Sequence, residues 1–77
     1  MLTNLPELAL LQSFATVAEE LNFRRSAERL AIDQSALSRR IRKLEDTLGY
    51  PLFERTTREV ILTPAGRTLY RRATQLL

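Results

Sequence analysis

Apolar residues return every three or four positions along the first part of the chain. Leu8, Leu11, Phe14, Ala15, Ala18 and Leu21 share one side of a helix, with Val17 at its edge. The pattern predicts a helix over residues 6–21, entered through Asn4 and Leu5, with Pro6 in the first turn where its missing N–H costs nothing. Its outer side is acidic and polar, so the stripe reads as scaffold. Asn22 and Phe23 interrupt the period, and a short second helix fits residues 24–30, burying Ala27 and Leu30, with Phe23 a further candidate for burial. Small residues at Ser26, Ala27 and Ala31 let a neighbouring helix approach closely. Ala31, Ile32 and Asp33 form a tight connection, with Asp33 able to accept from the free N–H groups that open the next helix.

The third helix, Gln34–Leu48, is two-sided. At about 100° per residue, Leu37, Ile41, Leu44 and Leu48 fall within an arc of roughly 60°, while Ser35, Ser38, Arg39 and Arg42 fall within an opposite arc of about 100°. Glu45 and Asp46 confine the positive charge to the N-terminal half, and Gly49 supplies a left-handed cap. Beyond it the period turns extended. Residues 52–55 and 59–62 read as two short strands joined around Thr56, Thr57 and Arg58, a hairpin of the kind that forms the wing of a winged helix. Thr63 before Pro64 signals a last helix with an apolar side of Leu69, Tyr70, Ala73, Leu76 and Leu77. Its terminal leucines imply either a partner helix or a piece of a longer chain; a basic amphipathic helix lying on a membrane or a calmodulin-like partner is the lesser alternative.

Composition narrows the chemistry. Among 77 residues there is no cysteine, histidine or tryptophan, which removes disulfides, thiolate or imidazole metal sites and every catalytic constellation built on His or Cys. No cofactor is expected. A domain this small has little room for an enclosed substrate pocket. The N-terminus lacks the leading positive charge of a secretory signal, and no apolar run approaches a membrane span, so a cytoplasmic protein is expected.

The formal charge of +3 conceals a strong asymmetry. Residues 24–43 hold seven cations against two carboxylates, a net of +5, and eleven of the twelve cations are arginine. Arginine's planar fork suits phosphate and guanine edges, a glutamine such as Gln34 pairs bidentately with adenine, and serines contact base edges or phosphate. Nucleic acid is the expected partner; the bland alternative is a solvated surface with arginine for solubility. Arg58, nearest the hairpin tip, is placed to touch phosphate, whereas Arg55 can touch phosphate or pair with a nearby carboxylate.

Three segments then carry a family resemblance: AERLAIDQSALSRRIRKLE, LGYPLFERT and LTPAG, in that order within residues 14–66. Together they resemble the N-terminal DNA-binding domain of LysR-type transcriptional regulators. The resemblance implies a mainly α winged helix-turn-helix, three helices plus a two-stranded β wing over residues 1–63, followed by the start of a dimerisation (linker) helix over residues 64–77. It implies binding to double-stranded DNA at an interrupted palindrome as a homodimer, tetrameric in the full-length parent. A small-molecule effector would enter only through a C-terminal domain outside these residues, and the location would be the bacterial cytoplasm, at the nucleoid. In the family, positions matching Gln34, Ser35, Ser38 and Arg39 make base and phosphate contacts, and a wing arginine matching Arg58 reaches the minor groove or backbone. Arg42, Arg55 and Arg24 are further candidates for DNA contact, and Leu69, Tyr70, Ala73, Leu76 and Leu77 for dimerisation. Proline is frequent in the family where Ser35 stands, and Ser or Thr where Arg24 stands.

Two other classes compete. A winged fold can dock an acidic protein partner through its basic side. An enzyme is the weakest reading, since adjacent Glu45 and Asp46 do not face one another on a helix and no pocket accompanies them.

Overall fold

The computed structural model describes residues 4–77, so residues 1–3 of the expected first unit lie outside the described residues. The element order is α1 (Asn4–Glu20), α2 (Phe23–Leu30), α3 (Gln34–Leu48), β1 (Phe53–Arg55), β2 (Val60–Leu62) and α4 (Pro64–Leu76). This is a winged helix-turn-helix followed by a further helix, as the sequence pattern predicts.

Helix α1 is the hub, because α2, α3 and α4 all pack on it. Residues 13–18 are buried on every side of the helix, with Phe14 and Val17 fully covered. Val17, expected at the edge of the stripe, therefore lies at the centre of the core. Leu8 precedes the covered stretch and is 40% exposed, contrary to the simple stripe. The buried hydroxyls of Ser13 and Thr16 donate to the carbonyls four residues back, Ala9 at 2.9 Å and Gln12 at 2.9 Å, which lets polar residues enter the core without an unpaired donor.

The helix starts at Asn4, two residues before the expected start, and ends at Glu20 rather than Leu21. Pro6 remains in the first turn, where backbone N–H groups have no intrahelical acceptor. Leu21 takes a left-handed φ of 50°, because the chain must reverse between the last turn of α1 and the extended Asn22 that caps α2. Asn22 Oδ1 accepts from Arg25 N at 2.8 Å, so α2 begins at Phe23, one residue earlier than expected. Phe23 is buried, and its ring meets Phe53 edge-on at 6.1 Å while Phe53 tilts against Phe14 at 5.5 Å. The first wing strand is thus anchored in the helical core.

Two expected caps form and one does not. Gly49 adopts φ 87° and closes α3, and Thr63 Oγ1 accepts from Gly66 N at 3.0 Å to open α4. Asp33 stands at the start of α3 but its carboxylate makes no capping bond; it is exposed to water, and the helix begins through its carbonyl, which accepts from Leu37 N at 3.0 Å.

The wing strands pair antiparallel in the register Phe53 with Leu62, Glu54 with Ile61 and Arg55 with Val60. Each is one residue shorter than expected, at its N-terminal end. The four-residue tip is closed by Thr56, whose N–H donates to the Glu59 carbonyl at 2.8 Å and whose Oγ1 accepts from the Arg58 and Glu59 amides at 3.2 and 2.9 Å.

Helix α4 sets its apolar side against the domain rather than away from it. Ala73 is fully buried, and Leu69 and Tyr70 are half-buried against the core. Of the residues expected to serve dimerisation, Ala73 is thus covered by the domain itself, while Leu76 at 76% and Leu77 at 52% stand out to solvent. Among the described residues, no helix is long and apolar enough to cross a membrane.

Candidate nucleic-acid interface

Five of the eight residues singled out for DNA contact come together in the fold. Gln34 and Ser38 on α3, Arg24 on α2, and Arg55 and Arg58 on the wing line a single open groove of about 500 Å³. Gln34 and Ser38 sit one turn apart on the wing-facing edge of α3, while Leu37 and Ile41, fully buried, fix the rotation of that helix about its axis. Asn22, Thr56 and Thr57 also line the groove, a contribution that helical spacing could not reveal because it comes from a cap and a turn.

Ser35, Arg39 and Arg42 are exposed on α3 beyond the groove. Arg39 lines a second depression of about 400 Å³ with Arg40, Lys43 and residues of α1. There Arg40 donates to Ser13 Oγ at 3.1 Å, tying α3 to α1. The cations are unequally engaged. Arg29 is held by Glu19 at 2.7 Å and Glu20 at 3.1 Å, and hydrogen bonding to Glu19 chiefly, then to Glu20, raises its pKa above the ordinary guanidinium value. Arg24 lies 3.7 Å from Glu28 in an exposed pair of little energetic consequence. Among the described side chains, Arg39, Arg42 and Arg58 form no ion pair. Arginines that no carboxylate holds keep their donors available to an external anion.

Arg55 is engaged by an aromatic ring rather than by a carboxylate. Its guanidinium stacks over the Phe23 ring, 4.2 Å from the centroid, and no carboxylate pairs with it among the described side chains. Stacking uses the flat face and leaves the N–H edge free to donate. Glu45, read from sequence as limiting the positive charge, has a further part: its Oε2 accepts from Leu52 N at 2.8 Å and Phe53 N at 3.4 Å.

Residues 8–67 match the family model described as bacterial regulatory helix-turn-helix protein, lysR family. The chain belongs to the lysR family. A relative, a probable hydrogen peroxide-inducible genes activator of Streptomyces viridosporus, is 50% identical over 72 residues, covering 94% of this chain and 23% of the relative. Among solved structures, OxyR of Corynebacterium glutamicum (C206S mutant, H2O2-bound) superposes with a TM-score of 0.88 at 45% identity, covering 92% of this chain and 22% of that one. The BenM DNA-binding domain in complex with catB site 1 DNA superposes with a TM-score of 0.86 at 43% identity, covering 90% of this chain and 77% of that one. The chain thus spans less than a quarter of the first two of these lysR-family proteins and most of the third.

Proposed function

We propose that this chain is the sequence-reading module of a bacterial transcriptional regulator, binding double-stranded DNA with α3 in a major groove and the wing over the adjacent minor groove. The observation that carries this reading is the convergence of Gln34 and Ser38 from α3 with Arg55 and Arg58 from the wing on one groove, in a fold shared with a domain solved on DNA. Gln34, Ser35, Ser38 and Arg39 take the base edges and nearby phosphates. Arg24, Arg42, Arg55 and Arg58 neutralise the backbone to either side. Two copies joined through α4 read the halves of an interrupted palindrome, with Leu76 and Leu77 as the part of the helix left for a partner. In the parent regulator, assembly to a tetramer, response to a small effector and residence in the bacterial cytoplasm at the nucleoid belong to the same reading.

Selection of bound duplexes from a random pool, followed by titration at several salt concentrations, tests it. A defined half-site should emerge, and affinity should fall steeply with salt as counterions are released. Equal affinity for selected and random duplex would refute sequence reading, and salt-independent binding would point to a protein-docking module instead.

A further inference from the structure

The two DNA-facing elements, α3 and the wing, are joined by a single polar bridge. Their backbones barely approach one another elsewhere. Glu45 lies two turns beyond Ser38 on the same wing-facing edge of α3, and its half-buried carboxylate reaches the first strand, accepting from Leu52 N at 2.8 Å and Phe53 N at 3.4 Å. Leu52 is fully buried, so its N–H has no water to turn to. A carboxylate accepting from amides makes a charge-assisted bond, stronger and more directional than a neutral one. Phe53 anchors β1 in the core, and this oxygen on α3 ties the start of the strand to the reading helix itself, so that through the three-residue ladder it helps set where the Arg58 tip lies relative to Gln34 and Ser38.

We propose that Glu45 is a positioning residue for DNA recognition: it sets the spacing between the helix that reads one groove and the wing that reaches the next. The proposal rests on the DNA-reading function proposed above. Glu45 itself faces the protein and touches no DNA. Its effect appears as the wing's contribution to binding, not as the discrimination made by α3.

A double-mutant cycle on a duplex selected by the unsubstituted chain tests this. Arg58→Ala alone should weaken binding about tenfold, the loss of one good charge-assisted contact. In the Glu45→Ala background the same change should cost at most about twofold, because the tip is already displaced. Hydroxyl-radical protection flanking the bases read by α3 should disappear, while preference for the selected half-site persists. Glu45→Gln keeps the length of the side chain and one acceptor oxygen, and should restore most of the Arg58 dependence. Glu45→Asp is one methylene shorter and falls short of Leu52; it should behave like Glu45→Ala, and it provides the test should the alanine variant fail to fold. An undiminished tenfold Arg58 effect in either folded variant would overturn the positioning role. Failure of the unsubstituted chain to prefer any duplex would overturn the DNA-reading function, and this proposal with it.

Discussion

Gly66 lies so close to Leu52 that a Cβ on the glycine would sit 2.2 Å from the Leu52 carbonyl oxygen, and 2.9 Å from the Leu62 side chain. The backbone of Gly66 is ordinary helix, so the requirement is for space rather than for an unusual φ. Gly66→Ala must displace α4 from the wing base, and should lower stability by about 2–3 kcal/mol in urea denaturation, the upper range for overpacking. A midpoint equal to that of the unsubstituted chain would mean that the close approach is absent in solution.

Arg39 and Arg58 should separate base reading from backbone attraction. Arg39→Ala is expected to cost about 1–3 kcal/mol on the selected duplex and to relax preference at one base pair. Arg58→Ala should weaken selected and random duplexes alike and reduce the salt slope by about one. Titrations on both duplexes at a series of salt concentrations decide the matter, and identical profiles for the two variants would contradict the assignment.

Arg55 has a structural part that Arg58 lacks. Because its guanidinium stacks on Phe23 at 4.2 Å, Arg55→Ala should lower the unfolding free energy by about 0.5–1 kcal/mol as well as weakening DNA binding. Arg58→Ala, at an exposed turn, should leave stability unchanged. Denaturation of the two variants without DNA tests the difference.

Ala31 closes α2 at φ 58° and ψ 44°, a left-handed conformation that costs a residue bearing a Cβ roughly 1–2 kcal/mol. It is exposed, so removing the methyl sacrifices no packing. Ala31→Gly should raise stability by about 0.5 kcal/mol after the extra entropy of glycine in the unfolded chain is counted. A lowered melting temperature would show that the turn relaxes away from this geometry.

The parts of the fold that depend on nearest neighbours were legible in the sequence. Helix α3 could be bounded correctly because its buried residues recur at one period and Gly49 ends it, and the wing could be placed to within one residue per strand because the period changes there. What escaped notice depends on partners distant in the chain or on backbone. Nothing in the alternation of polar and apolar residues shows that Ser13 is buried, since its hydroxyl is satisfied by a carbonyl one turn back. Glu45 reads as surface charge until folding brings two amides from seven and eight residues later onto its oxygen. That the domain itself covers Ala73 is equally hidden, because sequence shows that a helix side is apolar but not which body lies against it.

For the site the division is similar. Gln34, Ser38, Arg24, Arg55 and Arg58 could be named from residue type and placement, and they line one groove. The stacking of Arg55 on Phe23 could not, because it joins residues more than thirty positions apart.

Leu52 donates to Glu45 on α3, accepts from Thr63 N at 3.0 Å at the start of α4, and is buried beneath the wing. Three elements are therefore fastened at one residue, and the reading helix, wing base and start of α4 form a stiff gauge of fixed width. A stiff gauge shifts the work of fitting onto whatever it grips. A duplex whose groove spacing already matches would bind without distortion, whereas one that must bend or twist to match would bear that elastic cost itself. Base pairs that no side chain touches would then count in the choice of site, through how readily they let the helix deform.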